Sequence, residues 1–198
     1  MTMNLRRRAL LGSALLAPFV AALPAWAVAL GTARTLVDGL VAEVNAVIAS
    51  GRSEGQMLGD FEGIFDRYAD VPTIARYALG NDARTATEAQ LRSFTAAFRT
   101  YIARKYGRRF REFIGGQIVV VAAREVPNAV EVETTAVLQG RSPFRVDFQV
   151  SDRSGRAAFF NIIIEGVNML LSERTEVQAM LDARGRNIDR LIAELPQG

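Results

Sequence analysis

The chain has 198 residues, 49% of them hydrophobic and 23% charged, which is globular composition with enough length to bury a sizeable core in one domain. It contains neither Cys nor His, which excludes disulfides, thiolate metal sites, cysteine nucleophiles and any Ser-His-Asp triad, and removes the commonest general base and zinc ligand. The pI of 9.8 comes from one end: three of the 24 Lys+Arg and none of the 21 Asp+Glu lie in residues 1–27, so the remainder is neutral and lacks the basic footprint of a nucleic-acid binder or of strong adhesion to anionic lipid.

Residues 1–27 read as an export signal. Arg6, Arg7 and Arg8 form a charged start, and residues 10–23 are an apolar stretch too short to span a bilayer comfortably. Ala25-Trp26-Ala27 is the small-x-small pattern of a signal-peptidase site, so cleavage is expected after Ala27. A retained membrane anchor is the alternative. Arg7-Arg8 before Ala9-Leu10-Leu11 also resembles a twin-arginine signal, so the route is either Sec or twin-arginine, and both end in the periplasm. The expected organisation is a signal peptide over 1–27 and one domain over 28–198.

The front of that domain is helical. Leu36, Leu40, Val44, Val47 and Ile48 recur at helical spacing until Gly51, and Met57, Phe61, Ile64, Phe65 and Tyr68 do so on a second, acidic helix. Asp70 can cap a short third helix with Pro72 in its first turn and Gly80 at its end. Thr87-Glu88-Ala89-Gln90 is a capping-box pattern. It opens a longer helix with Leu91, Phe94, Phe98, Tyr101 and Ile102 on its inner face and Gly107 as an interruption.

After Gly115-Gly116 the period becomes two. Residues 117–126 form an apolar strand, and Pro127-Asn128 a turn. Residues 130–138, 144–150 and 157–165 are three further strands separated by turns at 140–143 and 152–155. Short connections predict an antiparallel meander. The tail returns to helix around Val177, Met180 and Leu181, and again around Ile188, Leu191, Ile192 and Leu195. The class is α+β: helices packed on one face of a four-stranded antiparallel sheet, with C-terminal helices. The apolar faces of sheet and helices either close on each other or enclose something.

Few residues point to chemistry. Asp60, Glu62, Asp66 and Asp70 lack the spacing and glycine of a calcium loop and read as a solvated helix face. No nucleophile-elbow, phosphate-loop or dinucleotide pattern occurs, and no metal or cofactor is expected. Arg104, Lys105, Arg108, Arg109 and Arg111 cluster at a helix end. They either complement the helix dipole or dock an acidic partner or lipid head group. Phe94, Phe98 and Tyr101 read as core or, alternatively, as the wall of an apolar pocket.

Four stretches together resemble a known family. Residues 65–80 resemble its helix ending in Ala-Leu-Gly, and residues 90–106 its next long helix. Asn161-Ile162-Ile163-Ile164-Glu165-Gly166-Val167-Asn168 resembles its strand ending in Glu-Gly-Val-Ser, and Arg174, Gly185 and residues 191–195 resemble its last helices. The family is MlaC, the toluene-tolerance family of periplasmic phospholipid-binding proteins, and the resemblance runs over residues 30–195. Departures are Ala157 for a usual Trp, Asn161 for a common Asp, Asn168 for the Ser and Glu173 for a Tyr before the Arg, changes expected to reshape the pocket.

The resemblance implies an MlaC-like fold with an NTF2-like sheet and a non-enzymatic carrier that takes phospholipid between an outer-membrane lipoprotein complex and an inner-membrane ABC transporter with an MCE domain. A hopanoid ligand is implied for one branch of the family, and an enzyme working on lipid with paired carboxylates is the remoter alternative. Lipid tails are expected against Ile74, Tyr77, Phe94, Phe98, Tyr101, Phe148, Phe160, Ile162, Val167 and Met169. Arg145, Arg108, Arg109 and Arg111 are expected to meet a head group or a partner.

Overall fold

The computed structural model describes residues 28–107 and 112–195; the expected signal peptide and Arg108, Arg109 and Arg111 lie outside the described residues. The order is α1 (Leu30–Ala49), α2 (Glu54–Tyr68), α3 (Val71–Leu79), a 3-10 turn (Gly80–Arg84), α4 (Glu88–Gly107), β1 (Gln117–Val126), β2 (Ala129–Val137), β3 (Phe144–Ser151), β4 (Ala158–Ile164), β5 (Val167–Asn168), α5 (Met169–Asp182) and α6 (Ile188–Glu194).

Local chemistry starts the helices where the sequence places them. Ser53 and Gln56 form a capping box on α2, with Ser53 N–H donating to Gln56 Oε1 at 3.1 Å and Gln56 N–H to Ser53 Oγ at 3.4 Å. Thr87 and Gln90 repeat it on α4 at 3.0 and 3.2 Å. Asp70 accepts from Thr73 N–H at 3.2 Å and so satisfies an orphan donor of α3.

The sheet is an antiparallel meander in the order β1-β2-β3-β4-β5. It has five strands where four are expected. The fifth is the two-residue Val167–Asn168, which folds back after Glu165-Gly166, both at positive φ, to pair Ile164 with Val167. A pair of residues carries no readable alternation, so this strand is set by the turn before it.

Register decides which side chains share a face. Ile118, Ala136 and Phe144 are aligned across three strands, Thr134, Val146 and Ile164 across the next row, and Val132, Phe148 and Ile162 across another. This face looks onto the helices: α1 packs on β1, β2 and β3, and α3 and α5 on β4. The intervening residues look away. There Arg124, Glu131, Gln149 and Asn161 form a hydrogen-bonded row across four strands: Arg124 Nε to Glu131 at 3.1 Å, Gln149 to Glu131 at 3.1 Å, and Asn161 to Gln149 at 3.0 Å.

The helical layer is tied to the sheet at one corner. Asp70 N–H donates to Phe159 O at 2.8 Å, and Arg156 reaches Arg67 O at 2.8 Å and Ala69 O at 2.7 Å. The long helix α4 packs on α2, α3 and α6. Its aromatic face therefore builds an interhelical core: Phe94 and Phe98 are fully buried with ring centres 5.7 Å apart. With α4 engaged there, the middle of the sheet's apolar face is left without a close cover.

Candidate functional site

That space is a cavity of about 440 Å³ between sheet and helices, within the range of ligand sites. Its floor is the inward face of the sheet: Ile118, Phe144, Val146, Phe148, Phe159, Phe160, Ile162 and Ile164. Phe159 and Phe160 both belong to it because the β3–β4 register shifts at Gln149/Val150, which breaks the alternation. Its walls are Leu40 and Val44 of α1, Phe61, Ile64 and Phe65 of α2, Ile74 of α3, Ile102, Ala103 and Tyr106 of α4, and Met169, Leu170 and Glu173 of α5. Phe113 and Leu138 add to it beside the Glu112–Arg141 ion pair of 3.0 Å. Aromatic edges stiffen the wall, with Phe148 set edge-on to Phe159 at 5.6 Å and Phe113 edge-on to Phe144 at 6.3 Å.

The residues expected to meet lipid tails divide into two groups. Ile74, Phe148, Phe160, Ile162 and Met169 stand on the cavity wall. Phe94, Phe98 and Tyr101 lie in the interhelical core, on the part of α4 that faces other helices, and Tyr101 donates to Glu176 at 2.5 Å. Tyr77 is on the surface under the guanidinium of Arg174, 5.0 Å from its ring centre, and Val167 is 54% exposed on β5.

Arg145 sits between the inward-facing Phe144 and Val146, so it projects from the opposite face of the sheet. There its Nε holds Asp147 at 2.8 Å and its Nη2 reaches Glu133 at 3.1 Å. The acidic stretch of α2 is occupied in ion pairs and a cap: Asp60 with Arg52, Glu62 and Asp66 with Arg99, and Asp70 at the start of α3.

Sequence reasoning passed over the walls given by α2 and by the start of β3. The signal was present for both: Phe61, Ile64 and Phe65 share one helical stripe, and Phe144 and Val146 share the parity of Phe148. Tyr106 carried no pattern of its own, and Glu173 stood out only as a departure expected to reshape the pocket.

Those two belong to a polar cluster where α4 meets α5. Lys105 Nζ bonds Glu173 Oε1 at 2.8 Å and also Glu176, and the Tyr106 hydroxyl donates to Glu173 Oε1. Burial pushes the phenols of Tyr101 and Tyr106 up, and their carboxylate partners push them further. Burial alone draws Lys105 down, but its bonds to Glu173 and Glu176 outweigh this and hold it above the ordinary lysine value. Burial alone raises Glu176, and its bonds from Lys105 and Tyr101 turn it below the ordinary carboxylate value.

Two comparisons bear on this arrangement. The family model described as MlaC protein matches residues 37–197. Among solved structures, the phospholipid-binding protein from Ralstonia solanacearum, in complex with a phospholipid, is similar with a TM-score of 0.66 and 19% identity, over 85% of this chain and 95% of that one. The likeness is one of fold: an α+β unit with helices on one face of an antiparallel sheet.

Proposed function

The chain belongs to the MlaC family, and from that premise we propose that it is a periplasmic lipid carrier which encloses acyl chains between its sheet and its helices. The observation that carries this reading is the cavity of about 440 Å³ with an almost wholly apolar wall. The related Ralstonia protein was determined with a phospholipid bound, which supports a lipid as the occupant here.

The physical need is clear. Each buried methylene is worth about 0.8 kcal/mol, so two acyl chains of roughly thirty methylenes would cost on the order of 25 kcal/mol to expose to water. Lipid crosses an aqueous compartment at a useful rate only when its tails are covered. The wall residues Ile74, Phe148, Phe160, Ile162 and Met169 cover them in this reading, together with Phe61, Phe65 and Phe144. The carrier then loads and unloads at an outer-membrane lipoprotein complex and an inner-membrane MCE-domain ABC transporter, after export by the signal over 1–27. It performs no reaction, in keeping with a chain that has no His and no Cys.

The test is expression of the full-length chain in a Gram-negative host, recovery of the exported protein from the periplasm without detergent, and native mass spectrometry followed by lipid extraction. A stoichiometric mass offset resolving into phospholipid supports the reading. A triterpenoid offset keeps the carrier and changes its cargo. A clean mass with no uptake from liposomes overturns it.

A further inference from the structure

The cavity wall is not uniformly apolar: Asn161 and the Glu112–Arg141 ion pair are one polar part of it, and Glu173 is another. In the cluster between α4 and α5 the donors are already engaged: Tyr106 on Glu173, Tyr101 on Glu176, and Lys105 on both carboxylates. One acceptor is left over. Glu173 lines the cavity, is 4% exposed, and its Oε2 is buried without a hydrogen-bond partner among the described residues. A buried carboxylate oxygen with no donor is costly, and a ligand that brings a donor removes that cost. The cluster holds two carboxylates against one ammonium, so its formal charge is negative and it opposes a bare anion placed beside it.

We infer that the cavity selects lipids whose polar part carries a hydrogen-bond donor, a hydroxyl or an ammonium, seated on Glu173 Oε2. The inference rests on the reading of the cavity as a lipid site and adds the chemistry that site selects. A phosphate is held elsewhere on such a lipid, away from Glu173. Phosphatidylethanolamine offers an ammonium, phosphatidylglycerol offers hydroxyls, and phosphatidylcholine, whose ammonium is fully methylated, offers no donor.

The experiment is a competition. The full-length chain is expressed in a Gram-negative host, and the exported protein recovered from the periplasm is incubated with unilamellar vesicles of equimolar dioleoyl phosphatidylethanolamine, phosphatidylglycerol and phosphatidylcholine. Protein-bound lipid is then quantified by mass spectrometry. Donor-bearing lipid is expected to exceed phosphatidylcholine by about tenfold, the value of one hydrogen bond to a charged acceptor. Excess phosphatidylethanolamine assigns the donor as an ammonium and excess phosphatidylglycerol as a hydroxyl. In Glu173→Gln, which keeps a neutral acceptor, the bias is expected to shrink, and in Glu173→Leu, which cannot accept at all, to fall to about twofold or less, with lipid still bound.

Uptake of phosphatidylcholine in proportion to its share by the unaltered chain overturns the inference and leaves lipid carriage standing. A bias that persists in folded Glu173→Leu also overturns it. Failure to take up any of the three lipids overturns the reading of the cavity itself.

Discussion

Asn45 and Ile118 are joined by a reciprocal pair of hydrogen bonds: Asn45 Nδ2 donates to Ile118 O at 2.9 Å and Ile118 N–H donates to Asn45 Oδ1 at 2.9 Å. Strand β1 is the outer strand of the sheet, and the Asn45 amide from α1 occupies the place of a neighbouring strand at that residue. Helix α1 is thereby pinned across the open edge, and Leu40 and Val44 are aimed into the cavity.

Asn45→Ala strips both partners from Ile118 and is expected to destabilise the fold by about 2 kcal/mol. Asn45→Asp keeps the acceptor and loses the donor, so it falls between. Urea unfolding midpoints at constant slope check this, and an unchanged midpoint in Asn45→Ala defeats it.

Wall and core positions separate stability from cargo. Ile162→Asp places a carboxylate on the cavity floor, where lipid tails and an unpaired charge exclude each other. The variant is expected to fold and to lose bound lipid. Phe98→Ala empties a site in the interhelical core and is expected to cost about 4 kcal/mol, with the lipid content of the folded fraction unaltered. Arg145→Ala, on the far face of the sheet, is expected to spare lipid content. Extraction of each purified variant decides, and lipid retained by folded Ile162→Asp removes the floor from the site.

Gly80 adopts φ +59° at the end of α3, and a Cβ built there would lie 3.2 Å from the Arg174 guanidinium. Gly80→Ala combines a positive-φ backbone at ψ −129°, outside the left-handed helical well, with crowding of the side chain that covers Tyr77. A loss of about 3 kcal/mol is expected, read as a lower Tm. A second change, Arg174→Ala, relieves the crowding but not the backbone strain, so it should recover part of the loss at most.

Alkaline pH loosens the helical layer. Tyr68 is held above its ordinary value chiefly by its bond to Glu43, and Tyr101 and Tyr106 chiefly by burial. Lys105 is raised as well. Groups with a raised pKa in the native state contribute stability that is complete below the unfolded values, near 10 for Tyr and 10.4 for Lys, and is lost as pH rises past them. Tm is expected to be level from about pH 7 to 9 and to fall above about pH 10, with phenolate absorbance rising together with unfolding. Tyr101→Phe should flatten that fall. A Tm level to pH 11 overturns the account.

Much of the fold was legible because its signals are local. The caps at Asp70 and Thr87 are set within three residues, Asp70 by accepting from the Thr73 N–H and Thr87 by exchanging bonds with Gln90, and the alternation along β2 and β3 declares an antiparallel meander without reference to anything distant. Family membership was legible from four short stretches read in order. Half of the expected tail-binding positions reached the cavity wall, and the reason the others did not is specific. Phe94, Phe98 and Tyr101 form a stripe equally suited to a sheet or to other helices, and periodicity reports that a face is buried, not against what.

The sequence by itself determined the elements other than β5, the absence of Cys and His chemistry, and the neutral balance of residues 28–198. Tertiary structure alone decided that α4 turns its aromatic face to α2, α3 and α6 and leaves the middle of the sheet's apolar face without a close cover, so that a core becomes a cavity. It alone brought Lys105 and Tyr106 to Glu173 across 68 and 67 residues of chain. Burial and pairing of that kind depend on which surfaces meet, and the free energies that choose among apolar faces of similar size are sums over distant contacts, which no local pattern of residues records.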